Sequence, residues 1–173
     1  MANGSDVYGI ISLVGDWTTE MIKNLNIIKK EWNNWSYYTD VHGDFNKNEL
    51  TLDFSAIGRW SYDVNLREIG AWITENRFEE TEAAYKNLCG ALKLKIDDAN
   101  EPTVWIEVDF KEHEPGCCIL RECSAKIKMQ DNNLVGHITN KSDYEYTAEN
   151  LVELGFHDII EEAQELFEET EDC

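Results

Sequence analysis

The chain has 173 residues, of which 35 are Asp or Glu and 15 are Lys or Arg, so its formal charge at pH 7 is −20. This balance argues against direct binding to nucleic acid or to an anionic membrane, because both require cations that neutralise phosphate. Apolar residues make up 42% of the chain, which is enough to build a core, and the length favours one domain.

The first half of the chain predicts the order β-α-β-β-α-α. Thr18 or Thr19 can cap the first helix, and alternating apolar residues predict that the second and third strands form a hairpin. The predicted elements are a strand at 7–14, a helix to about residue 33, strands at 35–42 and 49–56, and helices at 63–75 and 79–92. Side chains with helical spacing that should face the core are Met21, Leu25, Ile28, Trp32, Leu66, Ile69, Trp72 or Ile73, Ala83, Leu88 and Leu92.

The second half predicts three strands followed by two helices. The strands are expected at 103–111, 117–129 and 134–140, with a turn at 113–116, and the helices at 147–154 and 158–170. Gly155 should end the first of these helices. The loop 97–102 is the best candidate for a subdomain joint. The whole pattern predicts a single α+β domain with a mostly antiparallel sheet and packed helices, in the order β-α-β-β-α-α-β-β-β-α-α.

One group of residues has side chains that bind zinc in other proteins. His113, Cys117, Cys118 and Cys123 lie within eleven residues of each other. A strand would direct Cys117 and Cys118 to opposite faces, however, and the chain has no Cys-x-x-Cys pair. We interpret these cysteines as buried or half-buried thiols of a strand and predict no metal.

A second group has part of the spacing of a calcium loop. Asp44, Asn46 and Asn48 alternate as calcium ligands do, but Glu49 stands where the turn glycine belongs and Ser55 where the bidentate glutamate belongs. The segment therefore predicts a polar hairpin turn, and we expect no cofactor.

Catalytic patterns are lacking in the sequence. The four histidines are scattered, and neither a nucleophile elbow nor a phosphate-binding glycine loop is present. We therefore predict no catalytic residue and interpret the chain as a non-enzymatic protein. An enzyme of unrecognised class, whose acidic surface has no role in binding, is an alternative.

The segment 55–66 contains a second candidate binding site. Arg59, Trp60 and Tyr62 are of the residue types that dominate partner-binding hot spots. The alternative is that Trp60 closes the core where a strand ends, while Ser61 or Asp63 caps a helix. The segment resembles parts of small uncharacterised proteins from bacterial mobile elements, which implies an origin and no particular chemistry.

The C-terminal segment carries the densest charge. After Lys141 the chain has twelve Asp and Glu and no Lys or Arg. The predicted last helix buries an apolar stripe and carries eight acids over ~22 Å, a linear density near that of a nucleic acid. These candidate partner-binding residues are Asp158, Glu161, Glu162, Glu165, Glu168, Glu169, Glu171 and Asp172.

In charge and size the chain resembles the acidic nucleic-acid-mimic inhibitors of mobile elements, of the anti-CRISPR and anti-restriction type. The resemblance implies an inhibitor that occupies the basic surface of a nucleic-acid-binding enzyme. An immunity or antitoxin-type protein that neutralises a basic toxin is the alternative binding function. Five cysteines without disulfide spacing, and no pattern of a signal peptide or membrane span, predict a cytoplasmic protein.

Overall fold

The computed structural model describes residues 4–32, 37–59, 61–75 and 78–156. Within these ranges it has six strands, β1 (Ser5–Val14), β2 (Tyr37–Val41), β3 (Thr51–Gly58), β4 (Trp105–Glu114), β5 (Ile119–Gln130) and β6 (Asn133–Asp143). Its five α-helices are α1 (Thr19–Ile28), α2 (Tyr62–Arg67), α3 (Ile69–Glu75), α4 (Glu79–Lys93) and α5 (Ala148–Glu153). None of these helices has the length and apolar composition needed to cross a membrane.

The strands form one antiparallel sheet in the order β2-β3-β1-β4-β5-β6, which confirms the predicted α+β fold. The central strand β1 pairs with β3 on one side and with β4 on the other. The predicted hairpin of β2 and β3 is present. The loop 97–102 connects α4 to β4 and is held by the Asp97 side chain, which accepts hydrogen bonds from the backbone N–H groups of Ala99 and Glu101.

Helices α1 to α4 cover one side of the sheet, which we call the inner face. Thr18 caps α1 as predicted, since its Oγ1 accepts a hydrogen bond from the Met21 N–H at 3.2 Å. The residues predicted to face the core from this helix are all buried, namely Met21, Leu25, Ile28 and Trp32. Helix α1 packs against α4, and α2 and α3 lie on β6.

Three predicted helices differ from the observed ones. The first, predicted to about residue 33, ends at Ile28 and is followed by a 3-10 turn over Lys29–Glu31. The predicted helix 63–75 is divided at Glu68 into α2 and α3, two residues before Gly70. A Cβ at Gly70 would lie 2.5 Å from the Leu134 carbonyl oxygen, so α3 approaches the backbone of β6 closely. In α4 the prediction that Ala83 is buried is wrong, because Ala84 faces the core instead.

The turn between β4 and β5 lies further along the chain than predicted. Strand β4 continues to Glu114, and Pro115–Cys117 form a short 3-10 turn. Cys118 then adopts a left-handed conformation with φ of 51°, and β5 begins at Ile119. The predicted placement of Cys117 and Cys118 in a strand is therefore wrong, since the chain reverses direction through them.

A buried ion pair anchors α2 to the inner face. Glu112 is 0% exposed, and its Oε2 accepts from Arg121 Nε at 2.8 Å and lies 2.6 Å from Arg121 Nη2. The other oxygen, Oε1, accepts from Ser5 Oγ at 3.0 Å and from the Tyr62 N–H, at the start of α2, at 2.9 Å. Both carboxylate oxygens are therefore hydrogen-bonded, which offsets the cost of burying the charge.

A smaller core lies on the opposite side of the sheet, at one end. It consists of the buried residues Leu120, Leu151, Leu154 and Phe156, with Tyr8, Tyr144 and Tyr146 packed against them. Thr147 caps α5, and Gly155 ends it with φ of +90°, as predicted. Helix α5 therefore covers only this end.

Candidate partner-binding surface

The side of the sheet opposite α1 to α4 is the open face. Strand register fixes which of its side chains are neighbours, because residues that pair across strands lie side by side on the same face. One row across the sheet consists of Asp53, Ile10, Asp109, Ser124 and Asn140. The next row towards α5 consists of Asp40, Ser55, Tyr8, Lys111, Glu122 and Ser142.

A groove of about 540 Å³ runs over these two rows. Its lining is mixed, with apolar surface from Tyr8 and Ile10, the Lys111 ammonium, and hydroxyl and amide groups from β5 and β6. Three carboxylates also line it, those of Asp53, Asp109 and Glu122. The groove therefore offers both apolar contact and hydrogen-bond acceptors.

The charges in the groove are only partly compensated. Lys111 Nζ lies 3.4 Å from Glu122 Oε1, and Tyr144 Oη donates to Glu122 Oε2 at 2.6 Å, so Glu122 is held by two partners. The hydrogen bond to Glu122 is also the main reason that the pKa of Tyr144 is raised. Asp109 accepts from Ser124 Oγ at 2.5 Å. Within the described part of the chain, neither Asp53 nor Asp109 forms an ion pair with a Lys or Arg.

Tyr8 stands in the middle of the open face. Its ring packs edge-on against Phe156 with centroids 5.0 Å apart, and a Cβ at Gly155 would lie 2.6 Å from its Oη. That oxygen is buried and has no hydrogen-bond partner among the described residues. Burial is the first cause, and the Glu122 charge the second, of the raised pKa of Tyr8.

Large apolar side chains are exposed on the same face. Ile10 is 42% exposed, and the cross-strand neighbours Tyr38 and Ile57 are 64% and 63% exposed. A second groove of about 360 Å³ lies beside Tyr38 and Ile57 and is bounded by Phe156. Large apolar side chains that stay exposed on one sheet face are a feature of interaction surfaces.

The candidate residues of the acidic C-terminal segment lie outside the described residues. These are Asp158, Glu161, Glu162, Glu165, Glu168, Glu169, Glu171 and Asp172. The described residues before them continue the negative charge, because Glu145, Glu149 and Glu153 are all exposed.

The two described residues of the second candidate site, Arg59 and Tyr62, do not lie together on the surface. Arg59 is exposed after β3, and Trp60 lies outside the described residues. Tyr62 is 0% exposed, stacks on Phe54 and meets Phe110 edge-on, and burial raises its pKa. Tyr62 belongs to the core, so its side chain is not accessible to a partner in this structure.

The histidine and cysteines of the zinc-like group point to different environments. His113 is buried under α5, where Nε2 lies 2.5 Å from Tyr146 Oη, whereas Cys117 is exposed in the turn. Cys123 is buried on the inner face, and burial raises the pKa of its thiol to about 11. Among the described residues, no group of three or more His, Cys, Asp or Glu side chains is arranged to hold a metal ion.

The calcium-like segment forms a turn stabilised by the protein's own groups. Asp44 Oδ1 lies 2.8 Å from Lys29 Nζ, and this contact lowers the pKa of the Asp44 carboxyl. Asn46 Oδ1 accepts from the Asn48 N–H at 2.9 Å. The lysine therefore stands beside the carboxylate that the calcium pattern would use.

The sequence did not reveal the open face as a candidate site. The apolar run 7–14 predicts a buried strand, whereas in the structure Val7, Ile11 and Leu13 face the core and Ile10 faces solvent. The strict alternation of strand side chains gives one signal, since Tyr8, Ile10 and Ser12 must share a face. Which residues of distant strands stand beside them depends on sheet order, which the sequence does not specify.

Comparison with protein-family models, curated proteins and solved structures finds no match for this chain.

Proposed function

We propose that this chain is a non-enzymatic acidic binding protein that inhibits a partner by occupying its basic nucleic-acid-binding surface. The observation that carries the proposal is the formal charge of −20, of which −12 follows Lys141. The partner is a basic protein of the kind that binds phosphate backbones, and the setting is that of a phage or mobile element that counters a host defence.

The distribution of cations supports this proposal. Among the described residues, six Lys or Arg side chains form ion pairs with acids of the same chain. Those cations are Lys29, Arg67, Lys95, Lys111, Arg121 and Lys141. Each such pair neutralises a cation locally, so the remaining acids dominate the field that an approaching partner meets.

Exposed acids on separate elements extend that field. The first turn of α4 carries Glu79, Glu80 and Glu82, all exposed, and α5 carries Glu149 and Glu153. A surface with one sign of charge accelerates association with a partner of the opposite sign, and the effect weakens as salt rises.

We propose that the protein acts in the cytoplasm, where its thiols stay reduced.

The test compares the wild type with a variant in which Glu161, Glu165, Glu168 and Glu169 are changed to Lys. Each protein is immobilised and exposed to lysate at low ionic strength, and the bound proteins are eluted with salt and identified by mass spectrometry. The expected result is that the wild type retains nucleic-acid-binding proteins and inhibits their activity. The reversed variant should fold normally but should neither retain these proteins nor inhibit them. Full inhibition by the reversed variant would refute a role for the acidic segment.

A further inference from the structure

We propose that the open face is a docking surface for a basic polypeptide segment, whose arginine side chains meet Asp53 and Asp109 on either side of Ile10. This inference rests on the proposed function, since it names a contact surface and the chemistry of the partner that would occupy it. It assigns part of the binding to the sheet, in addition to the acidic C-terminal segment.

The first argument is that none of the described elements covers much of this sheet face. Helices α1 to α4 lie on the inner face, and α5 covers only the end of the open face near Leu120. An uncovered face of an antiparallel sheet normally carries polar side chains, but Ile10, Tyr38 and Ile57 are exposed here. Apolar side chains of this size, exposed on one sheet face beside two grooves, favour a macromolecular partner.

The second argument is the sign of the charge. Asp40, Asp53 and Asp109 carry negative charge on the open face, and none of them forms an ion pair with a described Lys or Arg. Lys111 lies in the same groove but is paired with Glu122. An acidic or neutral partner would remove these carboxylates from water without supplying a counter-charge, which is unfavourable. A basic segment supplies that counter-charge.

The third argument selects arginine among the basic side chains. Ile10 stands between Asp53 and Asp109 in one row, so neighbouring strand spacings of ~4.8 Å separate the two carboxylates by about 10 Å. Two basic side chains can therefore bind, one on each side of Ile10. The methylene groups of arginine can pack on the isoleucine while the planar guanidinium donates two hydrogen bonds to a carboxylate.

One polar group in the groove is consistent with an occupant. The hydrogen bond from Ser124 Oγ fixes one oxygen of Asp109 and leaves the other available. Tyr8 also lines the groove, but its hydroxyl is buried beside Gly155 and is not offered to an occupant.

The experiment titrates a nona-arginine peptide into ¹⁵N-labelled protein at low ionic strength. The test variant is Asp53→Asn with Asp109→Asn. The matched control is Glu79→Gln with Glu80→Gln, which removes the same charge from the exposed first turn of α4. All four side chains are exposed, so both variants should fold, and circular dichroism checks this.

The expected result is amide shifts centred on Ile10 and its row, with binding about five- to thirtyfold weaker in the open-face variant and less than about twofold weaker in the control. Ile10→Ser, which preserves charge, should also weaken binding. Equal weakening by the two double variants would overturn the docking surface and leave the proposed function standing. No binding of the peptide to the wild type would count against both. In a parallel titration with duplex DNA, tighter binding of the DNA than of the peptide at the same amides would overturn the choice of a basic partner.

Discussion

On the inner face of the sheet Glu112 is fully buried, and both of its carboxylate oxygens accept hydrogen bonds. One oxygen accepts from the Ser5 hydroxyl and the Tyr62 N–H, and the other accepts from the Arg121 guanidinium. On the open face Asp53 and Asp109 are exposed, and no described cation pairs with them. The same chemical group therefore has a structural role on one side of the sheet and is available to a partner on the other. Total acidity alone does not separate these roles, whereas burial and hydrogen bonding do.

Removing the buried carboxylate should give the largest effect. Glu112→Ala leaves the Arg121 guanidinium without its counter-charge in a site where little water can reach it, and the free energy of unfolding should fall by about 3–5 kcal/mol. Urea denaturation followed by circular dichroism measures this. Asp53→Asn is the control and should change stability by less than about 0.5 kcal/mol.

A double replacement sharpens the comparison. If Glu112→Leu is combined with Arg121→Met, no unpaired charge remains, and most of the lost stability should return. A double variant as unstable as Glu112→Ala would show that the individual hydrogen bonds to Ser5 and Tyr62, and not the unpaired charge, dominate the loss.

The contact between α2 and β6 should give the next largest effect. A Cβ at Gly136 would lie 2.5 Å from the Leu66 carbonyl oxygen, so Gly136→Ala should destabilise by about 1–3 kcal/mol. Gly90→Ala is a matched control, because that exposed glycine of α4 has no atom within 4 Å of an added Cβ. Alanine should stabilise the helix there by about 0.5–1 kcal/mol. The midpoint of thermal denaturation should therefore fall in Gly136→Ala and rise in Gly90→Ala.

The buried thiol predicts a loss of stability at alkaline pH. Burial raises the pKa of Cys123 from an ordinary value of 9.0 to about 11. Below pH 9 the thiol is protonated in both the folded and unfolded chains, but between pH 9 and 11 the unfolded chain releases the proton first. The free energy of unfolding should fall over that window. The fall should be shallower in Cys123→Ala when denaturation is measured at each pH, and an unchanged slope would contradict the role of this thiol.

The smallest effect is expected on the open face. Neutralising Asp53 and Asp109 together removes like charges from an acidic surface, so stability should rise by a few tenths of a kcal/mol at low salt and change little at high salt. Denaturation at two ionic strengths measures the difference. A loss above about 1 kcal/mol at either salt would mean that these carboxylates support the fold.

Local patterns predicted much of this fold and little of its binding surface. The spacing of Met21, Leu25 and Ile28 was sufficient to orient α1, since a helix has only one apolar stripe to bury. The predicted turn lies too early in the chain, because a cysteine does not indicate the left-handed backbone conformation that Cys118 adopts. Local pattern also did not predict the division of α2 from α3 at Glu68, where helices meet β6.

The contrast between Glu112 and Asp109 was not predictable from the sequence. Both are acids of β4 three residues apart, and only the register with β5 places Arg121 beside one and Ser124 beside the other. Pairing between strands decides which carboxylate acquires a cation. The charge after Lys141 was evident from the sequence, and its role in binding stays a prediction.

The most direct test of the proposed function is competition between this protein and DNA for one partner. A nucleic-acid-binding protein retained by the immobilised chain is purified and bound to fluorescent duplex DNA, and the chain is then titrated in while fluorescence anisotropy is recorded. Occupation of the basic surface predicts that the DNA is displaced, with an apparent affinity that falls steeply as salt rises. If the chain and the DNA bind the partner simultaneously, with no displacement at saturation, the central claim is contradicted.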